Sequence, residues 1–202
     1  MPIMNEFLLD LNNEIFMHSS SNGETNQDSF FQLVTDFLVE DSVCIDAQII
    51  NDWNNDKSGI QINGYGGDPS EDENTLTIFL VDYIQSDEVI GMNMAELTAL
   101  VKRGANYINK LGNKNFINSL EKTGNMYLIS QFLSNKIDYV DNFRFIILTN
   151  KLLKIRSEQI DTPIINNIKS KADIWDLDRI KKLYEGKNTK EEIIIDLEKD
   201  FN

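Results

Sequence analysis

The chain of 202 residues contains one cysteine, Cys44, and one histidine, His18. A lone thiol forms no internal disulfide and no multi-cysteine zinc site, and a lone imidazole removes His-pair metal motifs and any triad that needs a second ring. Long apolar runs are missing too. No stretch approaches the roughly 20 residues that cross a bilayer, and the N-terminal MPIMNEFLLDLNNEIF carries acids where a secretory signal has its positive region. The expectation is a soluble, cytoplasmic protein without membrane partners.

Positive charge is the scarcest resource, and it is unevenly distributed. Residues 1–100 hold 19 Asp and Glu against a single base, Lys57, whereas residues 101–202 hold 14 acids and 18 Lys and Arg. The acidic half repels phosphate and attracts basic partners or cations, so any phosphate-facing or partner-facing surface is expected later in the chain. Lys151, Lys154 and Arg156 are the leading candidates, followed by Lys169 and Lys171, then Arg179, Lys181 and Lys182. Interleaved acids such as Glu158, Asp161, Asp173 and Asp178 make an ordinary solvated surface the plainer reading of the same residues.

The chain is rich in core-forming residues, with 41 % hydrophobic content and 11 Phe, ample for a sizeable core. Periodicity of three and four predicts a helix over residues 4–17, a loop from Ser19 to Gly23, and a second helix capped by Asp28 and running to Glu40. A short helix is expected within 43–58. Gly59–Tyr65 and Thr75–Ile84 read as two strands of a hairpin joined by the acidic loop Gly66–Asn74. Asn93 caps a helix over 94–111 that Gly112 stops, with further helices near 114–121 and 125–135. Phe143–Thr149 is nearly continuous in hydrophobicity and reads as a central buried strand. Pro163 opens a short strand through Ile168, Asp176 caps a helix that Gly186 stops, and Glu191–Leu197 reads as a final strand. The division is an N-terminal helix and loop over 1–26 and one mixed α/β domain over 27–202.

Few residues carry recognisable chemistry. Gly64-Tyr65-Gly66-Gly67 lacks the Lys-Ser/Thr of a phosphate-binding loop and runs into Asp68-Pro69 rather than a helix. Residues 68–74 alternate oxygen ligands as calcium loops do, but lack glycine at the sixth position and place Phe79 where the bidentate acid belongs. Cys44, between Val43 and Ile45, reads as a small buried hydrophobe, and Trp175 as packing. What remains is three carboxylates: Glu40 at a helix end, Asp68 after the first hairpin strand, and Asp82 near the end of the second. Carboxylates converging from a helix and two strands are how metal-dependent nucleases hold Mg²⁺ against a scissile phosphate, and Asp68 and Asp82 are the candidate metal ligands. Such a centre also needs a lysine near Asp82. From Lys57 to Lys102 there is none, so a lysine would have to come from elsewhere, such as Lys102.

Phe30-Phe31 with Phe37-Leu38-Val39-Glu40, then Gln61-Ile62-Asn63-Gly64-Tyr65 with Asp68, and Leu76–Tyr83 resemble the N-terminal region of the abortive infection phage-resistance (AIPR) proteins. Phe145–Asn150, Ile174–Ile180 and Ile194–Leu197 are similar to the same family in type and order, and the likeness covers about residues 27–202. Members are longer than this chain, so the resemblance implies the N-terminal part of a larger protein whose C-terminal remainder is a partner. The order of elements also resembles the restriction-endonuclease core, in which an acid on the first hairpin strand and an acid-x-Lys on the second bind metal. Here Asn63 stands at the acid's place, with Asp68 as a possible substitute, and Tyr83-Ile84 follow Asp82. The resemblance therefore implies a catalytically degenerate nuclease-like module that binds or positions a partner and needs no cofactor. An active Mg²⁺-dependent nuclease using Glu40, Asp68 and Asp82, and an acidic module docking a basic protein, are the alternatives.

Overall fold

The computed structural model describes residues 2–53, 59–154 and 161–191. The elements run α1 (Pro2–Asn22), α2 (Asn26–Glu40), β1 (Gln48–Ile49), β2 (Gly64–Tyr65), β3 (Thr75–Asp82), β4 (Gly91–Met92), α3 (Met94–Leu111), α4 (Lys114–Ser119), α5 (Asn125–Lys136), β5 (Asn142–Thr149), β6 (Leu152–Leu153), β7 (Ile164–Ile165), β8 (Ile168–Trp175) and α6 (Leu177–Glu191). A mixed sheet has the order β1-β2-β3-β5-β8-β7, and β4 pairs separately with β6. β1, β2 and β3 are antiparallel, β3, β5 and β8 are parallel, and β7 returns antiparallel to β8.

The two central strands explain the layering. Along β3 and β5, Leu76, Ile78, Leu80, Phe143, Phe145 and Ile147 point to one face, and Phe79, Val81, Ile146 and Leu148 to the other; all are buried. A strand covered on both faces needs apolar side chains in both registers, which produces continuous hydrophobicity rather than alternation. On the first face lie α3, α4 and α5, through Leu97, Val101, Tyr107, Phe116 and Leu133. On the second lie α1, α2 and α6, through Leu8, Leu11, Ile15, Phe30, Phe31, Leu38, Leu177 and Ile180. Each such side chain contributes about 1.5–3 kcal/mol on full burial. α1 thus shares the core of the residues that follow it.

Several local expectations are corrected. α1 continues through the expected loop to Asn22, with Ser21 donating its hydroxyl to Met17 O within the helix and Ser19 donating to Asn26 Oδ1 of α2 at 2.7 Å. Thr25, not Asp28, caps α2, its Oγ1 accepting from Asp28 N. In place of a helix within 43–53, Gln48–Ile49 joins the sheet against Tyr65 and Gly64; residues 54–58 of that expectation lie outside the described residues. In place of the expected strand over 59–65, β2 spans only Gly64–Tyr65, flanked by backbone bonds from Asn63 N to Phe79 O and from Gly66 N to Thr77 O at 3.0 Å each, and a Cβ on Gly64 would stand 2.5 Å from Phe31 Cζ. The acidic loop contains a 3-10 turn, Pro69–Glu71, capped by Asp68. The stretch after Pro163 is a hairpin: Asn166 and Asn167 adopt φ of 50° and 65°, a two-residue turn suited to Asn, and β8 then runs eight residues to Trp175. α6 passes through Gly186, whose φ stays outside the left-handed region, and runs on to Glu191. The expected strand 191–197 falls outside the described residues, apart from Glu191 at the end of α6.

Candidate functional site

In an open sheet with parallel strands, ligands sit beyond the carboxyl ends of those strands. Here that edge is where β3 ends at Asp82 beside Thr149 of β5, and Leu148 lies beside Trp175 of β8. It is tightly cross-linked. Thr149 Oγ1 donates to Asp82 O at 2.8 Å and accepts from Lys151 N at 3.1 Å. The Asn150 amide clasps the backbone of Ile84, accepting from N at 3.0 Å and donating to O at 2.7 Å. Lys151 Nζ donates to Asp82 Oδ2 at 2.8 Å, with the lysine side chain 13 % and the carboxylate 28 % exposed. Asp176 caps α6, accepting from Arg179 N, and also accepts from Leu153 N at 3.0 Å.

Above this edge α3 closes a cavity of about 470 Å³ lined by Asp82, Glu96, Leu100, Lys102, Arg103, Asn106 and Lys151, together with Ala99. Glu96 is committed to the start of its helix, where its Oε2 accepts from Asn93 N at 2.8 Å while Asn93 Oδ1 accepts from Glu96 N at 3.0 Å. That reciprocal capping box fixes the first turn of α3 over the strand ends. Lys102, which the sequence offered as a lysine for Asp82, reaches this cavity; the cation bonded to Asp82 is Lys151.

The three candidate carboxylates are not brought together. Asp68 lies beyond the opposite end of β3, before the 3-10 turn, where its Oδ1 accepts from Ser70 N and Oγ at 2.9 and 2.7 Å and its Oδ2 from Lys136 Nζ at 2.8 Å. The Lys136 hydrogen bond, followed by those from Ser70, holds its carboxyl down at about 2. The eight residues of β3 place Asp68 and Asp82 on the order of 25 Å apart along the strand. Glu40 ends α2, on the sheet face opposite the cavity. Among the described residues no cluster of three or more His, Cys, Asp or Glu is arranged to hold a metal ion.

Asn63, at the place of the missing acid, has a structural task. Its buried Oδ1 accepts from Val81 N at 2.9 Å and from Gln61 Nε2 at 3.2 Å, and Gln61 Nε2 also donates to Val81 O at 2.8 Å. Two side-chain amides thereby do for β3 what backbone groups would do in a longer β2.

Of the basic candidates, Lys151 belongs to the site through Asp82, Lys154 lies against the backbone of Gly91, and Arg156 lies outside the described residues. Lys181 pairs with Glu185, and Lys182 with Asp178 at 2.6 Å, within α6. Arg179 covers the ring of Trp175 at 3.9 Å, leaving that indole a packing role. Burial pushes the Cys44 thiol up to about 11, in keeping with an inert core residue. His18 Nδ1 lies 3.2 Å from Ser29 Oγ and 3.8 Å from Glu24 Oε2 between α1 and α2, far from the strand ends.

The Lys151 and Lys136 pairings were missed in the sequence. The signal for Lys151 was available: once Leu76–Asp82 and Phe143–Thr149 are paired in parallel and in register, the residues after Thr149 fall beside Asp82. Lys136 carries no such signal, because its position depends on where α5 ends.

The family model for the abortive infection phage resistance protein N-terminal domain matches residues 30–182, from α2 into α6. No curated protein and no solved structure matches the chain.

Proposed function

Because the chain belongs to the family of abortive infection phage resistance protein N-terminal domains, we propose that it serves phage defence as a binding and positioning module built on a nuclease-like sheet that does not cleave nucleic acid. The carrying observation is the dispersal of Glu40, Asp68 and Asp82 to different ends and faces of the sheet, with Asp68 and Asp82 each already bonded to a lysine. A hydrolytic metal centre needs its carboxylates within one coordination sphere, where the cation both activates water and neutralises the transferring group. Asn63 supports the same reading, since its amide is consumed by the β3 backbone.

What the module presents is the carboxyl edge of β3 and β5, stiffened by Thr149, Asn150 and the Asp82–Lys151 pair under α3. A rigid edge of that kind suits recognition of a ligand or of another segment of a defence protein. Incubation of the purified domain with labelled single- and double-stranded DNA and RNA in Mg²⁺ or Mn²⁺ is expected to yield no product above a protein-free control. Product formation abolished by Asp82→Ala would overturn the reading.

A further inference from the structure

We propose that the cavity beneath α3 is a seat for a phosphoryl group carried by a small ligand of mononucleotide size, held by Lys102 and Arg103; this rests on the reading of the domain as a binding module and names what it binds. Three observations carry it. The cavity of about 470 Å³ lies at the carboxyl ends of β3 and β5, and its volume fits small ligands of about 300–1,000 Å³ better than a polymer. Its two acids are already engaged, Asp82 by Lys151 and Glu96 by the capping box, whereas neither Lys102 nor Arg103 has a carboxylate partner among the described residues. Arg103 Nε, moreover, is buried and has no hydrogen-bond acceptor.

A buried guanidinium nitrogen without an acceptor forfeits a charge-assisted hydrogen bond, and a phosphoryl oxygen supplies that acceptor together with the opposite charge. Lys102 is exposed at the rim and adds a second cation one residue away. Asn106, one turn further along α3, already donates its Nδ2 to Gly59 O at 3.0 Å, which holds its amide at the cavity wall with Oδ1 left to accept from the ligand's polar remainder. In a chain of net charge −14, a lining in which Lys102, Arg103 and Lys151 outnumber Asp82 and Glu96 is a local exception to the acidic balance.

Calorimetric titration of the protein with AMP, adenosine, inorganic phosphate and a short single-stranded oligonucleotide tests the seat. AMP is expected to bind, adenosine not to, and Lys102→Ala with Arg103→Ala to weaken AMP by at least about tenfold while circular dichroism stays unchanged. Inorganic phosphate competing with AMP also supports the seat, and its affinity relative to AMP tells free phosphate from a phosphate ester. Equal binding of adenosine, loss of nothing in the double variant, no heat with any phosphate-bearing probe, or an oligonucleotide binding far more tightly than AMP would each overturn the proposal. Binding without cleavage sustains both readings, binding followed by hydrolysis removes only the non-cleaving one, and neither binding nor cleavage removes only this one.

Discussion

Asn63 and Asp68 show how much a polar residue's meaning depends on its neighbours. Asn63 is 5 % exposed and its oxygen serves Val81 N and Gln61 Nε2, so Asn63→Ala leaves buried donors unsatisfied. The expected loss is about 1–3 kcal/mol in urea denaturation; an unchanged midpoint would say that the amide is dispensable to β3. For Asp68 the sign follows from its carboxyl lying at about 2, below the ordinary carboxylate range of about 4. A lowered folded value stabilises above the unfolded one and is lost as pH falls through the folded one. Lys136→Ala is therefore expected to cost up to about 1 kcal/mol at pH 6, the scale of a largely solvated pair, and progressively less between pH 4 and pH 2. A stability difference that stays constant across that range would contradict the assignment. From the sequence, both residues are visible as polar groups around a hairpin. That one braces a strand and the other caps a turn is not, because hydrogen-bond partners follow from register and from a lysine 68 residues away.

Among elements, α3 was the most legible: its bounds, its Asn93 cap and its buried face all follow from spacing. Asn93 and Glu96 act within one turn, so local chemistry suffices. Gly104 was not read as part of that face, yet a Cβ there would stand 2.9 Å from Phe145 Cε1 and 3.0 Å from Leu80 Cδ1. Gly104→Ala is expected to cost about 1–3 kcal/mol by overpacking against the central strands, measured by thermal or chemical unfolding; a stabilised variant, as helix propensity alone would give, would show that α3 can lift away. β7 and β8 were harder to read. β8 carries Lys169, Lys171 and Asp173 among its apolar residues and is only half buried, so the continuous hydrophobicity that marked β5 is absent. α6 outran its expected stop because a glycine can also continue a helix when its φ stays right-handed, and composition does not reveal which it will do.

At the level of the whole molecule, the acidic first half and the basic second half are interleaved rather than adjacent. β3 and β5 pair along their full length, and Lys136 and Lys151 of the second half reach Asp68 and Asp82 of the first. The mixed α/β class and the family were legible from short segments in their order. The dispersal of the three carboxylates was not, since it depends on which end of β3 each loop meets. That dispersal is the centre of the account, and a titration with Mn²⁺ followed by electron paramagnetic resonance tests it most directly. The ion is expected to remain free, with a signal equal to buffer, in the wild type and in an Asp68→Ala, Asp82→Ala double variant alike. Stoichiometric Mn²⁺ uptake by the wild type that the double variant loses would contradict it.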